Sequence, residues 1–209
     1  MRRRVLLALA GAALAAGCGS LPKPPARQTL YDFGPAPAPG APAPGADKRS
    51  PLSLPEVEAD GRLETPALLY RLGYEDAFQL HPYAFARWSA PPTQLVRQRL
   101  REVLGHDRAV LDSAAAAAMV RRGADRPPVL RVEVEEFSQV FDSPTASRGV
   151  VRLRCTLLQA TGSAERAVAQ RVFEAERPAP SADAPGGVRG ITAAMDAVAL
   201  DIARWLQQP

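Results

Sequence analysis

The chain has 209 residues, 46% hydrophobic and 23% charged, with 21 prolines and only two cysteines and two histidines. That length suits one domain with one core and is short for two, while so few cysteines exclude a disulfide framework. The net charge of +4 rests on Arg2, Arg3 and Arg4, which head a segment with the pattern of a removable leader; without them 23 basic residues face 22 acidic ones, a balance that gives no electrostatic reason to seek nucleic acid.

Behind the three arginines, Val5 to Ala16 carry no charge, and small residues then lead to Cys18. A basic start, a short apolar run and small residues form an export signal. The run is about a dozen residues, too short to span a bilayer permanently. Leu14-Ala15-Ala16-Gly17-Cys18 resembles a bacterial lipobox, in which the cysteine thiol takes a diacylglyceryl group and the chain is cut just before it. Ala15 stands where such boxes more often carry leucine. On this reading residues 1–17 are the signal peptide, cleavage falls between Gly17 and Cys18, and Cys18 carries covalent lipid with acyl chains of the palmitate type. Gly19 follows where the lipoprotein resemblance would place aspartate for inner-membrane retention, which implies an outer-membrane anchor with the body in the periplasm.

Residues 22–55 hold 10 of the 21 prolines. Proline fixes φ and lacks a donor, so residues 18–50 read as an extended or disordered tether of tens of ångströms at about 3 Å per residue. Thr29 to Phe33 interrupt it as a β-prone stretch able to dock on the body. The body, residues 51–209, opens with a strand candidate around Leu52 to Val57. A hairpin follows, with arms Ala67–Leu72 and Ala77–Leu80, and beyond it Tyr83, Phe85 and Arg87 alternate with Ala84, Ala86 and Trp88.

Ser89 reads as the cap of a helix whose apolar stripe is Leu95, Val96, Leu100, Val103 and Leu104, ended by Gly105. Arg97, Arg99 and Arg101 read as its solvated face. A short strand at Ala109–Leu111 and an alanine-rich helix or loop from Ser113 to Val120 come next. Three long strands form an antiparallel meander. In the first, Leu130, Val132 and Val134 alternate with Arg131, Glu133 and Glu135 until Glu135-Glu136 breaks parity, the mark of a bulge. In the second, Cys155 shares the apolar side with Val151, Leu153 and Leu157 and reads as a small core residue. Gly186-Gly187-Val188-Arg189-Gly190 reads as a turn. The final helix carries a seam of Val188, Ile191, Met195, Val198, Ile202 and Trp205. The fold class expected is α/β in the α+β sense: a single compact domain, its mixed, mostly antiparallel sheet covered by two main helices.

The leader and lipobox, the Pro-rich stretch, Tyr70-Arg71-Leu72, Tyr83 to Trp88 with the helix after it, the strand ending in Glu136-Phe137 and the terminal helix together resemble the ABC-type transport auxiliary lipoprotein family, typified by the lipoprotein of the paraquat-inducible system. The resemblance spans about residues 50–206. It implies a non-catalytic auxiliary subunit for transport of lipid or other hydrophobic cargo, partnered by an MCE-domain protein and, through it, an inner-membrane ABC transporter. Self-association stays open. The other reading is a structural or assembly-factor envelope lipoprotein with no transporter partner.

The residues themselves offer little chemistry. His81 and His106 lack a second ligand at metal spacing, and neither a nucleophile elbow nor a phosphate-binding loop is present. No catalytic residue, metal or cofactor is expected. Six of the 12 aromatics, Tyr70 to Trp88, fall within 19 residues. Tyr83, Phe85, Arg87 and Trp88 are the candidate partner-binding residues, since interfaces concentrate energy in Tyr, Trp and Arg; sheet core is the competing role, and the favoured one for at least half of the six aromatics.

Overall fold

The structure, a computed structural model, describes residues 27–35, 49–161 and 164–207. The leader, the lipobox and most of the Pro-rich run lie outside these. The strands are β1 (Thr29–Tyr31), β2 (Leu52–Ser53), β3 (Glu58–Ala59), β4 (Ala67–Leu72), β5 (Asp76–Trp88), β6 (Val110–Leu111), β7 (Val129–Ser143), β8 (Ala146–Thr161) and β9 (Ala164–Pro178). The helices are α1 (Pro92–Leu104), α2 (Ser113–Arg121) and α3 (Ala184–Trp205).

One mixed sheet holds all nine strands, with β7 at its centre. Along one edge β7 pairs antiparallel with β8, which pairs antiparallel with β9. Along the other it meets β2, β3 and β4 in turn, each parallel. The long ladders are thus antiparallel and the parallel pairings short. The parity break falls where the sequence places it: the β7–β8 register shifts between Val134 and Glu136. After that extra residue Phe137, Gln139 and Phe141 face the core side that Leu130, Val132 and Val134 face before it.

α3 lies across β7, β8 and β9, and α1 packs against α3. The seam read from spacing is the seam that is buried: Ile191, Met195, Val198 and Ile202 have no exposed surface. Each such side chain contributes about 1.5–3 kcal/mol relative to exposure. The helix starts on Asp183, whose Oδ1 accepts from Gly186 N at 2.8 Å and from Ser181 Oγ at 2.6 Å. Gly186 to Gly190 are therefore helical, a correction to the turn expected there. Each glycine is in close contact: a Cβ on Gly190 would meet the backbone of Gly149 in the sheet at 2.9 Å, one on Gly187 the Gln139 side chain at 2.0 Å, and one on Gly186 the Ser181 carbonyl at 2.0 Å.

The Ser181 hydroxyl and the Gly186 N–H hold the Asp183 carboxyl below its ordinary value. A depressed carboxylate pKa stabilises above the unfolded value and stops doing so as pH falls through the folded one. Asp183→Ala is expected to cost about 1 kcal/mol at neutral pH, with a smaller difference in acid, measured as denaturant midpoints across pH.

Two other expectations change. Ser89 is not the helix cap; its N–H donates to Tyr31 O at 2.7 Å, and Pro91 stands at the cap with Pro92 opening the helix. Arg99 is not solvated but 1% exposed. The β-prone stretch does dock on the body, as its composition suggests: β1 pairs parallel with β5, and Phe33 is a core residue against Trp88 and Phe137. In chain order the prolines at 37–44 follow β1.

Candidate partner surface

β5 positions Phe78, Tyr83, Phe85 and Trp88, while Tyr70 lies on β4 and Tyr74 in the turn between the two strands; irregular pairing with β4 decides where the β5 side chains point. Ala67 pairs with Arg87 but Leu69 with Pro82, so extra β5 residues bulge between Tyr83 and Ala86 and parity flips across them. Below the bulge Tyr83 turns inward. Its ring lies 4.6 Å from that of Tyr70, and its hydroxyl donates to Gln139 Oε1 at 2.8 Å. Gln139 Nε2 in turn donates to Ser147 Oγ at 2.7 Å, a buried polar chain not foreseen in the sequence. Burial raises the Tyr83 phenol well above the usual tyrosine range. His81 stacks on Tyr70 at 5.2 Å, inside the strand rather than at its end.

Above the bulge Ala86 and Trp88 face the core while Phe85 and Arg87 face out. Trp88 is 1% exposed, which removes it from the partner surface: it fills the core against Phe33 and Phe137. Phe85 is 62% exposed. β1 adds Leu30 opposite Arg87, also 62% exposed, and Arg87 Nη1 donates to Gln28 Oε1 at 3.0 Å. The four residues proposed from sequence therefore split. Phe85 and Arg87, joined by Leu30, form a solvent-facing patch; Tyr83 is half-buried and Trp88 is core.

At the far end of β5 the turn exposes Tyr74 and Phe78. Desolvation, then the neighbouring Glu75 carboxylate, raise the Tyr74 phenol. The outer side of β7–β9 is charged: Arg152 meets Glu174 at 2.8 Å, and Arg154 meets Glu133 at 3.8 Å and Glu135. Exposed pairs of this kind add little stability each.

Among the described residues no group of three His, Cys, Asp or Glu comes together as metal ligands. Cys155 is fully buried, and burial pushes its thiol up to about 12, so it packs rather than reacts. A groove of about 580 Å³ between α2 and the start of β7 is lined by Ala116, Ala117, Val120 and Val129 with Arg121 and Arg126, and holds neither histidine nor cysteine. No helix among the described residues is long and apolar enough to cross a membrane.

The model of the ABC-type transport auxiliary lipoprotein component family matches residues 31–203. The chain belongs to this family. The match begins at Tyr31, on β1, and so includes the segment that the fold places in the body. Among solved structures the fold of this auxiliary lipoprotein is shared by a Xanthomonas campestris protein, 20% identical, with a TM-score of 0.69 over 85% of this chain and 94% of that one. An uncharacterized protein is 16% identical, with a TM-score of 0.63 over 86% and 99%. At such identities the likeness is one of fold. No curated protein matches the chain.

Proposed function

We propose that the mature protein begins at a lipidated Cys18, is held in the outer membrane with its body in the periplasm, and serves as a non-catalytic adaptor. Its partner on this reading is an MCE-domain protein and, through it, an inner-membrane ABC transporter carrying lipid or other hydrophobic cargo. The observation that carries the reading is the family match across residues 31–203, downstream of a stretch that resembles a lipobox. The outer-membrane assignment is supported by Gly19 after the cysteine. The protein contact is supported by the exposed Leu30, Phe85 and Arg87 patch at the edge of the sheet.

The test has two parts. Palmitate labelling and membrane fractionation of the wild type and of Cys18→Ser are expected to show label and outer-membrane recovery only for the wild type. Capture of an MCE-domain protein is expected from the wild type and to fall at least tenfold for Phe85→Ala/Arg87→Ala. A folded, anchored chain that captures no such protein would instead support the structural or assembly-factor role.

A further inference from the structure

The described chain enters β1 from one side of the sheet, and few residues separate that entry from Cys18. β1 runs parallel to β5 with Thr29 opposite Ala86, and Gln28 Nε2 donates to Ala84 O at 3.3 Å. The polypeptide therefore enters the fold beside Ala84. Followed back from there, β5 leads to the β4–β5 turn, where Phe78 lies about 20 Å away at the rise of a strand. From Cys18 to Arg27 the chain spans about 30 Å at full extension. The Pro-rich run comes after β1 and adds nothing to that reach. A lipid on Cys18 thus keeps the body within about 30 Å of the bilayer, and the turn lies within the same radius.

The surface of the turn fits that place. Phe78 is 95% exposed, above every other large apolar side chain among the described residues, and Tyr74 is 41% exposed. The backbone beneath them is tied. Phe78 N donates to Asp76 Oδ1 at 2.8 Å, Glu75 N to Leu72 O at 2.9 Å, and Arg71 Nη1 to Ala77 O at 3.3 Å. A phenylalanine held out on a braced turn needs no reordering to be buried, and a tyrosine beside it suits the boundary between headgroups and acyl chains. Glu75 and Asp76 give no attraction to anionic headgroups, so apolar burial is the source of the contact.

We infer that the β4–β5 turn, through Phe78 and Tyr74, seats in the bilayer that holds the Cys18 lipid, an inference that rests on the anchor proposed above. The lipid supplies affinity and the turn supplies orientation. Tethering raises the local concentration enough for a weak second contact to be occupied. With the turn on the membrane, the Leu30, Phe85 and Arg87 patch further along the sheet is left to a protein.

The experiment uses the lipidated mature chain in vesicles of phosphatidylethanolamine with a minority of phosphatidylglycerol, some lipids bearing a shallow doxyl quencher. Phe78→Trp is compared with Val172→Trp, an exposed reference on β9, each against the shared background of Trp88 and Trp205. The emission added by Phe78→Trp is expected to be quenched severalfold more than that added by Val172→Trp, equally with and without phosphatidylglycerol. Equal quenching at the two positions would overturn the inference. So would shielding of Phe78→Trp that arises only when an MCE-domain protein is added, or self-association of the Cys18→Ser chain that Phe78→Ser abolishes. Mass spectrometry of the same sample separates the two layers: a bare Cys18 thiol sinks the anchor, whereas a lipidated chain with equal quenching sinks only the turn contact.

Discussion

Gly149→Ala is expected to destabilise the fold by about 3 kcal/mol or more, at the upper end of overpacking, and to lower the urea midpoint accordingly. A Cβ on Gly149 would lie 2.1 Å from Ile191 N, 2.2 Å from Gly190 C and 2.6 Å from Gly190 O. All three atoms are backbone, so no rotamer change relieves the overlap. α3 as a whole has to rise from β8. Its seam of Ile191, Met195, Val198 and Ile202 rises with it, opening a gap in a close-packed core. Gly61→Ala is the matched control, since nothing lies within 4 Å of its added methyl, and is expected to stay within about 0.5 kcal/mol of the wild type. Denaturation followed by tryptophan fluorescence checks both. A wild-type midpoint for Gly149→Ala would mean that α3 does not sit this close to the sheet.

The terminal helix, the hairpin and the three-strand meander were legible because each announces itself through the spacing of nearby residues. The 3-and-4 spacing from Val188 to Ile202 and the parity break at Glu135-Glu136 needed no knowledge of distant partners. The misread glycines came from weighing propensity over capping. Asp183-Ala184-Pro185 is an N-terminal helix signal, and it outweighs a Gly-rich opening once the sheet demands close approach. The partner surface was half legible for another reason. Alternation along β5 correctly separates Phe85 from Trp88, yet which side is core depends on Phe33 and Phe137, 55 and 49 positions from Trp88. The bulge that turns Tyr83 inward is set by the pairing with β4, which no local pattern in β5 records. Arg99 was hidden in the same way: its neighbours along α1 are ordinary for an exposed charge, and its partners lie on two remote segments.

That buried charge supports the second large effect. Arg99→Ala is expected to destabilise the protein by about 3–5 kcal/mol, the range for breaking a buried ion pair from one side. Arg99 Nη2 donates to Phe33 O at 3.0 Å and Gly34 O at 3.3 Å, Nη1 stands 3.3 Å from Asp196 Oδ1, and the guanidinium lies 5.5 Å from the centre of the Phe33 ring. One side chain therefore ties the β1 segment to α1 and α3. Its loss leaves two carbonyls and two carboxylates, Asp196 and, 3.7 Å from Arg99 Nε, Glu102, without their charge partner. Burial already raises the Asp196 carboxyl, and Arg99 is what draws it back down; without Arg99 it rises further. A carboxyl whose folded pKa exceeds its unfolded value makes the folded state the better proton acceptor, so stability increases as pH falls toward the unfolded value. The deficit of Arg99→Ala is thus largest at neutral pH and narrows as pH falls toward the ordinary carboxylate range, the same direction as for Asp183→Ala but with a different cause, since there the wild type loses a cap. Adding Asp196→Ala removes the stranded carboxylate and is expected to restore part of the loss and abolish its pH dependence, which a double-mutant cycle measures. Hydrogen exchange at residues 29–34 is expected to accelerate in Arg99→Ala. A deficit that is flat with pH, with exchange there unchanged, would reduce Arg99 to a packing residue and detach β1 from its proposed fastening.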